Sequence, residues 1–220
     1  KFNLEVSNEL RQACPNYRGA AVYATVRNTL HSEGLWQEID AFTRELQATE
    51  TVDSIKQQTA IVATRDAYRA CGKDPSRYRP SAEALRRRLL RGLDLYQIDT
   101  LVDLINLVSL RTGYSIGGFD ADKIQGTDLC LGIGKAGEEF EGIGRGPLNI
   151  EGLPVYRDAI GGIGTPTSDH ERTKMGIETT HILALINGYS GEKGLQEAAE
   201  MTLDLLKKYA DATEGEIVLY

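Results

Sequence analysis

Residues 96–126, YQIDTLVDLINLVSLRTGYSIGGFDADKIQG, change structural period halfway along. Asp99 can cap a helix by accepting backbone N–H groups one turn on. Leu101, Val102, Leu104, Ile105, Val108 and Leu110 then fill most of a helix surface, which predicts a helix buried on several sides. Gly113 can take positive φ and close it. Residues 114–119 next read as a short strand, and FDADKIQG as a turn returning into another strand. A buried helix that feeds a sheet edge predicts an α/β (α+β) fold, a mixed central β-sheet with packed helices.

Two polar residues interrupt that buried helix, Asp103 and Asn106. A buried carboxylate or amide left unpaired costs about 1–3 kcal/mol, so each needs a partner. Either they tie down a neighbouring loop, or Asn106 faces a pocket and orients a polar ligand.

Outward from this unit, 220 residues are enough for one domain over 1–220, with 1–75 an N-terminal part of the same fold. A hydrophobic fraction of 41% supplies its core. A net charge of −7 and a pI near 5.1 give no overall attraction to nucleic acid, so any RNA contact needs a local basic patch. Cys14, Cys71 and Cys130 are odd in number, far apart and without CxxC spacing, which predicts reduced thiols in a cytoplasmic protein. No run reaches the length of a transmembrane helix, so no membrane contact is expected. The segment KFNLEVSNEL lacks an apolar signal core.

Helices dominate the first half. Residues 2–6 and, more strongly, 20–27 read as strands. Residues 32–47 read as a helix with Leu35, Ile39, Phe42 and Leu46 on one face, and residues 53–70 as a second, ended by Gly72. The prolines of KDPSRYRP predict an ordered loop. Ser81 is expected to cap a third helix, SAEALRRRLLRG, closed at Gly92. Strands are expected over 127–133, 155–160 and 181–186, an amphipathic helix over 190–209, and a last strand over 217–219.

The third helix carries Leu85 and Leu89 on one face and Arg86, Arg87, Arg88 and Arg91 on the other. With Lys73, Arg77 and Arg79 these form the basic cluster of an acidic chain. It is either a solvated helix face or a phosphate-contacting patch for RNA.

Several motifs fail on inspection. Gly132, Gly134 and Gly137 match GxGxxG, but EEFEGIGRGP follows where a dinucleotide site needs a helix, so these read as hairpin glycines. GIGTPTS lacks the phosphate-loop lysine, and DADKIQG breaks the calcium-loop pattern. His170 and His181 do not form HExxH, and no cluster has zinc spacing, so neither a metal nor a cofactor is expected.

Residues 158–180, DAIGGIGTPTSDHERTKMGIETT, concentrate polar side chains between two expected core strands. Gly161, Gly162 and Gly164 permit close backbone approach and inward N–H groups. Ser168, Asp169, Arg172 and Thr173 can form a polar cradle, with Thr179 and Thr180 just before the apolar strand. The alternative is a self-satisfied surface loop in which Asp169 caps a turn starting at His170.

In order, the blocks VDLINLV, GYSIGGFDADKIQG, a GG loop with TSD, a threonine pair and an apolar strand resemble the B3/B4 domain of the phenylalanyl-tRNA synthetase beta subunit. There the helix reads like VVDITNYV and the turn like PLHAFDLDKL, matched by residues 101–108 and 115–124. The resemblance covers roughly residues 78–187 and implies a stand-alone version of the domain. In the synthetases this domain hydrolyses mischarged tyrosyl ester on the phenylalanine tRNA. The family's helix asparagine falls on Asn106, its turn histidine on Gly117, its site glycines near Gly161 and Gly162, and its pocket glutamate near Leu185.

The resemblance implies tRNA or aminoacyl-tRNA as partner, with two functions open. One is trans-editing hydrolysis, with Asp158 or Asp169 orienting water, the 161–164 backbone stabilising the oxyanion and Asn106 holding the amino acid. The other is a non-catalytic module that binds RNA or an amino-acid-like small molecule. Both place a pocket between the Asn106 helix and the 161–173 loop.

Overall fold

The structure, a computed structural model, describes residues 2–220. The chain runs β1 (Asn3–Val6), α1 (Asn8–Ala13), β2 (Arg18–Thr25), α2 (Glu33–Thr49), a 3₁₀ stretch (Val52–Gln57), α3 (Thr59–Ala70), α4 (Ser81–Leu90) and α5 (Thr100–Thr112). It continues through β3 (Ile116–Asp120), β4 (Asp128–Ile133), β5 (Glu141–Gly142), β6 (Gly146–Pro147), β7 (Pro154–Arg157), β8 (Gly162–Gly164), β9 (His181–Gly188), α6 (Leu195–Tyr209) and β10 (Thr213–Leu219).

Helices pack on β-structure as expected, but on two four-stranded sheets where one central sheet was predicted. The first, ordered β1-β4-β7-β8, is mixed: β1 runs parallel to β4 and the other pairs are antiparallel. The second, β10-β2-β9-β3, is antiparallel throughout. The sequence of β9, HILALING, shows why there are two. Ile182, Ala184 and Ile186 join a core with α2, α5 and α6, whereas Leu183 and Leu185 join a second core with Leu129, Leu131, Tyr156 and Ile163 of the first sheet. A strand buried on both faces reads as a continuous apolar run, so alternation cannot reveal the second layer.

Helix α5 forms as the sequence dictates. Asp99 accepts from the Val102 N–H at 2.9 Å, and Gly113 closes the helix at φ 84°. Elsewhere local chemistry shifts the boundaries. Pro80, not Ser81, is the N-cap residue of α4, and the Ser81 N–H instead donates to Pro166 O at 2.8 Å. The helix expected over 53–70 divides at Gln58 into the 3₁₀ stretch and α3. Helix α6 begins only at Leu195, because Gly191 and Gly194 take φ of 98° and 88°. Helix α1 was not expected. It has six residues and one buried apolar side chain, Leu10, too few for a periodic signal.

Gly134 does belong to a tight backbone approach. A Cβ there would stand 1.9 Å from the Ile150 carbonyl oxygen, where Gly134 N–H meets Leu153 O and Gly152 N–H meets Gly134 O. Because backbone cannot swing aside as a side chain can, Gly134→Ala is expected to cost about 1–3 kcal/mol, read as a lower denaturant midpoint at unchanged m.

Candidate functional site

The two polar residues of α5 have different surroundings. Asp103 is 1% exposed; it accepts from Trp36 Nε1 and from the Ile98 N–H, both at 3.0 Å. It ties α2 and the segment before α5 to the helix, and burial raises its pKa. Asn106 is partly exposed, and among the described residues its amide has no hydrogen-bond partner. Asn106→Leu is therefore expected to leave the thermal midpoint within a few degrees of wild type, because no buried bond is lost. A large drop would make Asn106 structural.

Asn106 and Gly162 do not share a pocket. Helix α5 lies on the helix side of the second sheet, with Ile105 over Gly118 of β3. Gly162 lies in the first sheet, and a Cβ on it would meet Phe140 and Val155 at 3.0 and 3.1 Å. The second sheet thus separates the two elements expected to face each other.

The backbone of the 161–164 segment is largely engaged. Gly161 N–H donates to Asp158 Oδ1 at 3.2 Å. Gly162 and Gly164 sit in β8, in register with Arg157 and Tyr156. Their N–H groups are therefore not gathered as an oxyanion cradle.

Asp158 and Arg172 meet as a fixed pair. Two guanidinium nitrogens lie at 2.8 and 2.9 Å from the two carboxylate oxygens, which also accept from the Gln125, Ile160 and Gly161 N–H groups. Together these donors overcome burial and hold the Asp158 pKa down at about 2. A carboxylate so committed has little basicity left for water.

Asp169 is the contrasting group. It does not cap the following turn; His170 does, through Nδ1 accepting from the Arg172 N–H at 2.9 Å. Asp169 instead turns its carboxyl toward the edge of β3, where Oδ2 accepts from the Gly118 N–H at 3.2 Å. Oδ1 has no hydrogen-bond partner among the described residues, and the residue is half-buried. Burial, only partly offset by the Gly118 bond, pushes its pKa up to about 8.

Glycines make room for this carboxyl. A Cβ on Gly117 would meet the Phe119 ring at 2.8 Å and Asp169 Oδ1 at 3.3 Å; one on Gly164 would meet them at 2.6 and 2.8 Å. Gly117 stands in register with Leu185 on β9. The two positions to which the resemblance assigns a histidine and a glutamate are thus cross-strand neighbours, and here Phe119 and Asp169 occupy that space. No local signal announces this cluster, because its members come from three segments and three of them lack side chains.

The remaining cradle residues are spread out. Ser168 Oγ donates to the Asp169 carbonyl at 3.3 Å. Thr173 is buried with its hydroxyl unpartnered. Thr179 donates to Asp120 Oδ2 at 2.9 Å and accepts from the Gly176 N–H at 2.9 Å.

The basic cluster divides sharply. Arg86 is 2% exposed, bound to Glu50 at 3.1 Å and to the Leu110 carbonyl at 2.6 Å, so it cannot meet phosphate. Arg87 and Arg79 approach buried Glu83 at 2.7 and 3.5 Å. Arg88 donates to the Asp94 carbonyl and lies 4.1 Å over the Tyr96 ring. Arg77 and Arg91 are exposed, and Lys73 is buried against Tyr78 and the Asn149 carbonyl. The expectation of one arginine face was wrong for Arg86 because the side chain reaches back into the protein.

Clefts of about 650 and 630 Å³ lie elsewhere, one beside α1 and α3, the other beside Lys73 and Gly134. Among the described residues no group of three or more His, Cys, Asp or Glu could hold a metal, and no helix is long and apolar enough to cross a membrane.

Comparison with known proteins gives a family and a fold. The family model described as "B3/4 domain" matches residues 63–211. No curated protein matches. A crystal structure of an N-terminal fragment of the phenylalanyl-tRNA synthetase beta subunit from Pyrococcus horikoshii is similar, with a TM-score of 0.53 at 15% identity. The match covers 99% of this chain and 50% of that fragment, so the chain spans half the length of its structural relative.

Proposed function

The chain belongs to the B3/4 domain family, and from that premise we propose that it is a tRNA-linked domain that hydrolyses the ester of an aminoacyl-tRNA in trans, with Asp169 activating the water. One observation carries this: a half-buried carboxyl with a pKa of about 8 and a free Oδ1, at the edge of β3. A general base works best with a pKa near the operating pH, which Asp158 at about 2 lacks. Ionised Asp169 takes a proton from water as the oxygen attacks the ester carbonyl. Collapse of the adduct then releases the amino acid and the tRNA hydroxyl. A tRNA substrate also fits a cytoplasmic location.

The test is deacylation of a panel of charged tRNAs by the purified protein and by Asp169→Asn. Hydrolysis of one aminoacyl ester by wild type alone supports the reading; an inert wild-type protein defeats it. A second reading, non-catalytic binding of tRNA or of an amino-acid-like molecule, is favoured by the Gly117–Leu185 pair, which offers neither an imidazole nor an acid.

For either reading, RNA contact falls to the exposed Arg77 and Arg91. Changing both to glutamate is expected to weaken tRNA affinity across sequences alike and to flatten its salt dependence by about two phosphate contacts. A gel-shift titration at two salt concentrations checks this, and an unchanged slope would clear both residues.

A further inference from the structure

Helices α3 and α4 and the 3₁₀ stretch border a third cleft, of about 330 Å³. On α3, Ile61, Arg65 and Arg69 recur every four residues and so share one helix face. On α4, Glu83 and Arg87 are likewise four apart. Ile55 and Ile61, both buried, and half-buried Val62 give the cleft an aliphatic floor. Its charges do not balance. Lys56, Arg65, Arg69 and Arg87 line it against one carboxylate, Glu83, in a chain whose net charge is −7.

Glu83 is 1% exposed and fully engaged. Its Oε1 accepts from Arg65 Nη1 at 2.9 Å and its Oε2 from Arg87 Nε at 2.7 Å, with Arg79 Nε at 3.5 Å. One cation neutralises a buried carboxylate, and here three converge, so positive charge remains once Glu83 is satisfied. Arg65 is further held by Pro75 O at 3.3 Å and Ser76 Oγ at 2.8 Å. Arg87 is not: among the described residues its two terminal nitrogens have no hydrogen-bond partner. Lys56 is exposed, with no ion pair among the described residues. Arg69 pairs with Asp66 at 3.0 Å, both side chains more than half exposed, and an ion pair of that kind holds weakly.

We propose that this cleft binds a small organic phosphate, with Lys56, Arg69 and the free end of Arg87 on the phosphate oxygens and the organic part on Ile55, Ile61 and Val62. Guanidinium forks match phosphate geometry, and a concave site of one charge sign concentrates anions. The volume lies at the lower end of the range for small-molecule sites, about 300–1,000 Å³. An RNA backbone carries its charges in a line and is met by cations that track it, whereas these are gathered in one hollow.

Isothermal titration calorimetry of the purified protein with inorganic pyrophosphate and with ADP, at constant ionic strength, tests this. One saturable site is expected for each, ADP the tighter because pyrophosphate leaves the aliphatic floor bare. Lys56→Glu and Arg69→Gln alter exposed side chains and should each weaken both probes about tenfold with the thermal midpoint nearly unchanged. Lys207→Glu makes the same charge change as Lys56→Glu on an exposed position of α6 and should leave both affinities as they are. No saturable site for either probe, affinities untouched by Lys56→Glu and Arg69→Gln, or an equal loss in Lys207→Glu would overturn the proposal. Pyrophosphate binding as tightly as ADP would remove the organic part from the cleft. A single-stranded RNA weakened by both cleft variants, with neither probe bound, would make the cleft an RNA backbone contact instead.

Discussion

Arg86→Ala is expected to destabilise the fold by about 2–4 kcal/mol, because it removes a buried guanidinium that bridges a partly exposed carboxylate and a helix-end carbonyl. Arg86 sits at a junction of three helices. It leaves α4, pairs with Glu50 at the C-cap of α2, and donates at 2.6 Å to Leu110 O near the end of α5. Carbonyls in the last turn of a helix lack partners within it, and a cation there also meets the negative end of the dipole. Removal strips Leu110 O of its side-chain donor and leaves Glu50 without its cation, with only the Ser54 hydroxyl still donating to it. Arg86→Glu should be worse, placing a second carboxylate against both. Arg91→Glu, by contrast, alters an exposed side chain and should change stability by no more than about 0.5 kcal/mol. Urea denaturation of the three variants checks the contrast. Equal midpoints would mean that Arg86 is not the junction its geometry describes.

The same residue shows what the sequence conveys and what it withholds. The run Arg86, Arg87, Arg88 and Arg91 states a helix and its charge, but not that Arg86 points inward. That depends on a glutamate and a carbonyl from helices the local pattern does not connect. Helix α5 was legible because its cap, apolar stripe and closing glycine are all local. The second sheet was not, because β9 is apolar on both faces and gives no alternation to read. At the site, the polar density of residues 158–180 was legible, but the division of labour between its two aspartates was not. Asp158 is quenched by Arg172, fourteen residues on, and Asp169 is kept half free by Gly118, fifty-one residues back. Partners of that kind are chosen by topology, and the glycines that admit the Asp169 carboxyl carry no side chain to advertise it.

Asp169→Asn is expected to abolish ester hydrolysis while making the protein more stable at alkaline pH. Asparagine keeps the shape and can still accept from the Gly118 N–H, but it cannot take a proton from water. Losing a general base typically costs 10²–10⁴-fold in rate. If the proposed mechanism holds, the wild-type rate should climb with pH through about 8, as the carboxyl ionises. The effect on stability has a definite sign. The folded state holds this proton up to about pH 8, whereas the unfolded chain releases it near 3.8. Between those values the folded state binds more protons, so the stabilisation present at low pH is lost progressively as pH rises through 8. Ionising this carboxyl in the folded state costs stability that the unfolded chain does not lose. The asparagine variant carries no such penalty, so the gap in thermal midpoint between it and wild type should widen from pH 5 to pH 8.5. A gap independent of pH would mean that Asp169 titrates normally and is no general base. A widening gap with no hydrolysis of any charged tRNA would leave a strained carboxyl that serves binding alone.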